Sequence, residues 1–404
     1  MTRDAATATR DATIAAFLAR HGFAAAQAAP LAQDASFRRY LRLSGGPRPA
    51  VLMDAPPPED VAPFLRIAAH LAALGLSAPG IIAADPAAGL VLEEDLGDAL
   101  FATRLDRTPC AITLPPDALA LFDAAIDTLA CLQRAAPPQG LPAWDARAMI
   151  AATLDPLFTW WWPAAIGTPA PETARADLAA ALAVILAPLD HGPKTFVHRD
   201  FFAGNLIHLP DRRGLRQVGI LDFQSAAIGH PAYDLVSLVQ DARRPLPASL
   251  TEHAITRLLA VRPELDPAVF RAAFAACAAQ RHLRVATQWV RLARRDHRPH
   301  YLVHGPHTWH LLATALNHPV VAPLAAALDR WVPVALRGNP RGGSKQGQGT
   351  LPPGPPPGDS RPLHPPPARN QWMRSKGAAL GGGPGGSAPW PCLHAPRTSR
   401  FPPA

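Results

Sequence analysis

The stretch FVHRDFFAGNLIHLPDRRGLRQVGILDFQSA, Phe196 to Ala226, decides the fold. It opens on apolar residues, sets His198, Arg199 and Asp200 in a turn, and places Asn205 five positions after Asp200. A polar Pro-Asp-Arg-Arg-Gly turn, residues 210–214, leads into a second apolar run that ends on Asp222. Two strand-like segments therefore deliver two carboxylates and an amide close together at their ends.

Transfer of a phosphoryl group from ATP asks for that set. It needs a base beside the acceptor hydroxyl and oxygen ligands for Mg2+, which takes one or two carboxylates and completes its shell with phosphate oxygens and water. The kinase arrangement has an Asp, an Asn five positions later, and a second, metal-binding Asp further on. Asp200 is then the candidate base, Asn205 and Asp222 are the candidate metal ligands, and ATP and Mg2+ are the expected cofactors.

Upstream of this stretch the pattern is mixed. Residues 10–22 read as a helix, and SFRRYLRL and PAVLMDA as two strands around an SGGPRP turn. DVAPFLRIAAHLAALGL reads as an amphipathic helix opened by Asp60, followed by a strand pair, GIIAAD and GLVLEEDLG. From about Pro116 the chain turns helical, at 117–135, 145–163, 172–189, 233–243, 250–261, 267–295 and 306–330. The expected architecture is α+β and bilobal. A small β-rich N-lobe (1–97) binds nucleotide, a larger α-rich C-lobe (98–337) carries catalysis and acceptor binding, and the cleft between them holds the chemistry.

Residues 338–404 contain 16 Pro and 13 Gly in 67 positions, a composition that predicts a disordered tail. The tail also holds eight Lys/Arg against the single acid Asp359, so +7 of the chain's +8 lies there and the first 337 residues are near neutrality. The basic pI is thus no property of a folded face, and nucleic acid is not an expected partner. The four cysteines have no C-x-x-C spacing, the N-terminus lacks the apolar core of a signal peptide, and no apolar run reaches membrane-spanning length. A monomer in the cytoplasm is the expectation, with no membrane partner.

VHRDFFAGNL followed by ILDFQ resembles the aminoglycoside phosphotransferase/choline kinase group of kinase-like enzymes. With DASFRRYLRL, VLMDAPP, VLEEDLGD and the longer ILDFQSAAIGHPAYDLVSLVQDAR, the chain is most similar to the bacterial anomeric kinases of N-acetylmuramate and N-acetylglucosamine, over roughly residues 10–335. The resemblance implies a protein-kinase-like fold and an ATP-dependent sugar kinase of cell-wall recycling. It implies a phosphate-covering loop at DASFRRY, with Ser36, Phe37 and Arg38, and a hinge at LEEDLG, with Glu94 and Leu96, for the adenine. On the acceptor side it points to Gln224, Arg243 and Arg281, and it makes Asp234 an anchor of the catalytic loop.

Two departures accompany the resemblance. PAVLMDAPP offers no Lys for the nucleotide phosphates, leaving Arg38 and Arg39 as candidate cations, and Phe202 stands where relatives commonly carry His. The alternatives are a kinase of another small hydroxyl compound, of aminoglycoside, choline or fructosamine type, and a pseudokinase scaffold. Cationic acceptors call for carboxylates on the acceptor side, whereas Gln224, Arg243 and Arg281 suit a neutral or anionic sugar. The run HRPHYLVHGPHTWH has zinc-like histidine spacings, but Pro299 and Pro306 interrupt any continuous helical face.

Overall fold

The computed structural model describes residues 3–31, 38–106 and 113–338, with side chains from residue 9 onward. Ser36, Phe37 and the expected tail, apart from Gly338, lie outside the described residues.

Helix α1 (Arg3–Arg20) precedes a five-stranded antiparallel sheet. Its strands are β1 (Gln27–Pro30), β2 (Arg39–Ser44), β3 (Ala50–Asp54), β4 (Ile81–Asp85) and β5 (Leu90–Glu94), in the order β1-β2-β3-β5-β4. Helix α2 (Ala62–Ala73) connects β3 to β4. The two-residue period of a strand sorts the side chains. Leu52, Leu90 and Leu92 take one face, where Ile14, Phe17 and Phe23 cover them. Met53 and Val91 take the other and join Val61, Phe64 and Ile67 in the main core. At about 1.5–3 kcal/mol per large apolar side chain buried, these two faces clamp the sheet between α1 and α2. A buried ion triad fastens α1 as well. The fully buried Asp54 carboxylate accepts from Arg10 Nε at 3.0 Å and Nη2 at 2.5 Å, and from Arg39 on the neighbouring strand.

A connector through Glu94–Gly97 leads into the helical region. This comprises α3 (Phe101–Asp106), α4 (Pro116–Arg134), α5 (Ala146–Asp155), α6 (Trp162–Ala165), α7 (Glu172–His191), α8 (Ala232–Val239), α9 (Ala248–Val261), α10 (Pro267–Arg294), α11 (Gly305–Ala315) and α12 (Ala322–Trp331). Short strands interrupt it: β6 (Ala143–Trp144), β7 (Thr195–Val197), β8 (Leu206–His208), β9 (Val218–Ile220) and β10 (Ala227–Gly229). Strands β6, β10 and β7 form a small sheet in that order, and β8 pairs antiparallel with β9. The 28-residue α10 is the axis of this region, about 42 Å long. It packs against α5, α8 and α11 and is buried along most of its length.

The β8–β9 hairpin reaches back to the sheet. Ile220 N–H donates to the Ser77 carbonyl at 2.8 Å, and His208 N–H donates to the Ala99 carbonyl at 2.9 Å. Arg212 donates to Ser77 Oγ at 2.8 Å and to Glu94 Oε1 at 2.5 Å. The two regions thus share a stitched rear edge. Among the described residues no single helix is long and apolar enough to cross a membrane.

Three expected elements come out differently. The helix expected over 145–163 ends at Asp155, and Pro156–Trp161 is π-helical before α6 resumes. Pro156 has no N–H for the preceding turn, so the ladder is relaid with wider spacing. The helix expected over 306–330 breaks between α11 and α12 with a 105° bend, where His318 caps the turn around Pro319 by accepting from Val320 N–H. Strand β1 was not expected, and β2 begins at Arg39, later than SFRRYLRL suggests.

Candidate active site

The geometry starts from β7, whose three residues are fully buried, so the chain leaving it is aimed by the core. The next two N–H groups, of His198 and Arg199, both donate to the Asp234 carboxylate on α8, at 2.6 and 2.9 Å. That double acceptor holds Arg199 at φ 75°, a left-handed conformation costing about 1–2 kcal/mol for a non-glycine residue. The Arg199 guanidinium adds its own anchor, lying 3.9 Å above the Trp144 ring and donating to the Ser225 carbonyl at 3.3 Å. Asp234 thus anchors the loop directly.

His198 joins this loop to the next. It is fully buried, and its Nδ1 faces the Asp200 N–H at 3.3 Å while Nε2 faces the Leu221 carbonyl at 2.9 Å. Only a neutral ring protonated at Nε2 satisfies both contacts. Burial also drives its pKa down to about 4, which keeps it neutral. Through this one imidazole the positions of Asp200 and of the residue before Asp222 are linked.

The Asn205 side chain donates from Nδ2 to the Asp200 carbonyl at 2.9 Å and lies 3.4 Å from Asp222 Oδ2. Asp222 sits at φ 57°, ψ 37° after β9, a left-handed turn that throws its carboxylate back toward Asn205. Gln224 Nε2 donates to Asp222 Oδ1 at 2.5 Å. Phe223, just past Asp222, stacks on Phe64 of α2 with ring centroids 4.8 Å apart, so the helix of the sheet region props this turn from behind. Gly204 fits the same loop because a Cβ there would lie 2.5 Å from the Phe202 ring. The three side chains singled out in the sequence therefore converge. Asp222 and the Asn205 amide oxygen are hard oxygen donors without Cys or His among them, which suits Mg2+ with phosphate oxygens completing the shell.

The Asp200 side chain is 40% exposed. Desolvation pushes its pKa up, but Arg284, Arg281 and Arg199 together outweigh it and hold the carboxyl below its ordinary value. Arg281, expected on the acceptor side, is 5% exposed. Its Nη1 donates to the Arg199 carbonyl at 3.2 Å and stands 3.9 Å from Asp200 Oδ1. Gln224, expected there too, has its amide turned onto Asp222. Arg243 is different. Its guanidinium lies over the Phe202 ring at 4.7 Å, with Trp289 and Tyr301 each at 5.8 Å, so it is set within an aromatic rim whose Phe202 is two residues along the loop from Asp200.

At the hinge, Glu94 N–H donates to the Gly80 carbonyl at 2.8 Å and its carboxylate is held by Arg212. The carbonyl of Glu94, rather than its N–H, is the group it can turn to a base. The half-exposed Leu96 offers an N–H two residues on. Arg39 is committed to Asp54, while Arg38 is buried, 3.3 Å from Glu59.

Sequence reasoning passed over Glu93 and Trp144. Glu93 lies on the same face of β5 as Val91, toward the main core, and is 5% exposed; its Oε2 has no hydrogen-bond partner among the described residues. Burial lifts its pKa to about 8 against the pull of Arg38. The alternation in LVLEED was the signal available for Glu93; nothing local marks Trp144. The histidine-rich run is divided among packing contacts. His300 and His304 lie against Tyr301 and Trp289, and His307 bonds the Asp241 carbonyl at 3.0 Å. Trp161 and Trp162 are buried in the core and Trp160 is half-buried.

Comparison with known proteins bears on this geometry. An N-acetylmuramate/N-acetylglucosamine kinase of Caulobacter vibrioides is 36% identical over 364 residues, 81% of this chain and 98% of its own. An N-acetylmuramate/N-acetylglucosamine kinase of Pseudomonas aeruginosa is 33% identical over 313 residues, 75% of this chain and 88% of its own. A choline kinase structure from Streptococcus pneumoniae superposes with a TM-score of 0.54 at 15% identity, over 78% of this chain and 99% of that one, a likeness of fold. The family model for phosphotransferase enzymes (APH) matches residues 27–268, from β1 to the first turn of α10. The chain therefore belongs to the phosphotransferase enzyme family, with a protein-kinase-like fold.

Proposed function

We propose that the protein is an ATP-dependent sugar kinase that phosphorylates the anomeric hydroxyl of N-acetylmuramate, N-acetylglucosamine or both, in the cytoplasm, as part of cell-wall recycling. The observation that carries this reading is the convergence of Asp200, Asn205 and Asp222 at one cleft, in a chain whose relatives of 32–36% identity bear the name of that kinase.

In this reading Asp200 takes the proton of the acceptor hydroxyl at a carboxylate oxygen. Arg281 and Arg284 keep that carboxylate ionised, and the Asn205 amide holds the loop so that it faces the acceptor. Bound Mg2+, held by Asn205 and Asp222, supplies positive charge to the transferring phosphate. The Glu94 carbonyl and Leu96 N–H orient the adenine, and the segment Ser36–Arg38 covers the phosphates. An anomeric hydroxyl is more acidic than an ordinary alcohol, which suits a base held below its usual pKa. Arg243, propped on Phe202, is the group for a carboxylate on the acceptor, such as the lactyl group of N-acetylmuramate.

The test is ATP consumption across N-acetylmuramate, N-acetylglucosamine, its methyl glycoside, kanamycin and choline. Turnover with the two free sugars and none with the methyl glycoside is the expected result. Product from the methyl glycoside would overturn the anomeric assignment, and preference for kanamycin or choline would overturn the substrate class.

A further inference from the structure

Kinases commonly hold the nucleotide phosphates with a Lys on the third strand, itself paired to a Glu on the helix that follows. Both are missing here. Met53 is fully buried on the face of β3 that packs with α2, and α2, APFLRIAAHLAA, contains no acid. Alternation along β2 puts Arg38, Tyr40 and Arg42 on the face that Met53 shares, and Arg39 on the other. Arg42 is engaged at the hinge, 2.7 Å from Asp95 and 2.8 Å from Asp98. Arg38 lies deeper, 8% exposed, immediately after the segment that joins β1 to β2.

What Arg38 touches is informative. Its Nε stands 3.3 Å from Glu59 Oε2 and its Nη2 is 3.5 Å from the Asp60 carbonyl. The Asp60 carboxylate accepts the Ala62 N–H at 2.8 Å, so this contact is made at the N-terminal threshold of α2. The Tyr40 phenol borders the same space. Burial and then Glu93 raise its pKa, Arg38 lowers it, and Asp222 raises it again, so one ring lies in the fields of all three. Tyr40 lies opposite Met53 in the sheet, on the Arg38 side, and both Arg38 and the candidate metal ligand Asp222 are within electrostatic reach of its ring.

We propose that the Arg38–Glu59 ion pair takes over the work of the absent Lys–Glu pair, with Arg38 neutralising nucleotide phosphate charge from β2 and Glu59 holding its guanidinium. The cation has moved one strand over, and its carboxylate partner has moved from within the helix to the residues that precede it. A planar guanidinium can keep one edge on Glu59 while offering N–H groups to phosphate oxygens. The inference rests on the kinase reading above.

Calorimetric titration with Mg·ADP and with adenosine tests it. Arg38→Ala should weaken Mg·ADP at least tenfold, about the loss of one charge-assisted hydrogen bond, and leave adenosine affinity unchanged. Glu59→Gln should weaken Mg·ADP less, and Arg38→Ala/Glu59→Gln should bind no worse than Arg38→Ala alone. Wild-type affinity for Mg·ADP in Arg38→Ala, an equal loss for both ligands, or additive effects of the two substitutions would overturn the proposal. A wild-type protein that bound neither ligand would instead bring down the kinase reading, and the proposal with it.

Discussion

Replacing Glu93 by Gln should change how stability depends on pH in a way that can be worked out from its surroundings. Glu93 is 5% exposed, its Oε2 lacks a partner among the described residues, and burial lifts its pKa from 4.5 to about 8. The folded value lies above the unfolded one, so the folded protein binds the extra proton between them. The stability it contributes is fully present below about pH 4.5 and is lost as pH rises through about 8. Gln cannot ionise. The difference in stability, Glu93→Gln minus wild type, should therefore be flat below pH 4.5 and grow by about 1.4 kcal/mol per pH unit up to about 8. From pH 5 to 8 that amounts to about 4 kcal/mol, or about 6 °C in Tm for a folded unit of about 340 residues. Any mismatch in how the amide fits is a constant offset, so only the slope is read. Thermal unfolding of both proteins in matched buffers from pH 5 to 9 measures it. A Tm difference that stays level across this range would refute the reasoning.

Two further outcomes follow from the site. Asp200→Asn should lower kcat by several orders of magnitude with nucleotide affinity nearly unchanged, because only proton acceptance and acceptor orientation are removed; retention of more than about a tenth of turnover would contradict the assigned role. Asp234→Asn replaces one of two acceptor oxygens with a donor and leaves a buried N–H of His198 or Arg199 unpaired, at about 1–3 kcal/mol. A lower Tm together with a lower kcat is expected, and an unchanged kcat would mean that the loop holds its shape without this carboxylate.

The parts of this molecule legible in the sequence are those with strong local signals. The spacing from Asp200 to Asn205 to Asp222 sits between apolar runs that bury completely, so reading them as strand ends placed the three side chains together. The strand β1, QAAP, is exposed at every position and has no alternation to read. Strands of two or three residues, such as β6 and β10, are held by their neighbours and leave no periodicity of their own. The π-helical turn at Pro156–Trp161 looks helical by composition, since the change is in hydrogen-bond register. The direction a long side chain takes is harder still. As sequence, Arg243 and Arg281 are equivalent candidate cations, yet one stands on an aromatic rim and the other is buried under the loop that carries Arg199 and Asp200. Only the packing of α10 against that loop distinguishes them.

The stitched rear edge has a mechanical meaning. Ser77, Glu94 and Ala99 are bonded to Arg212, Ile220 and His208, so the sheet cannot slide over the helical region without breaking that line. What that line leaves open is a swing about it, as a book cover turns on its spine, limited in its extent by the Phe64–Phe223 stack. Displacement is then smallest at Ser77 and greatest at the far margin of the sheet, where β2 and the edge strand β1 lie. A spectroscopic label pair across Ser77 and Gly219 would report an almost constant distance through a catalytic cycle, while a pair joining Ser44 to an exposed residue of α11 would register each opening and closing.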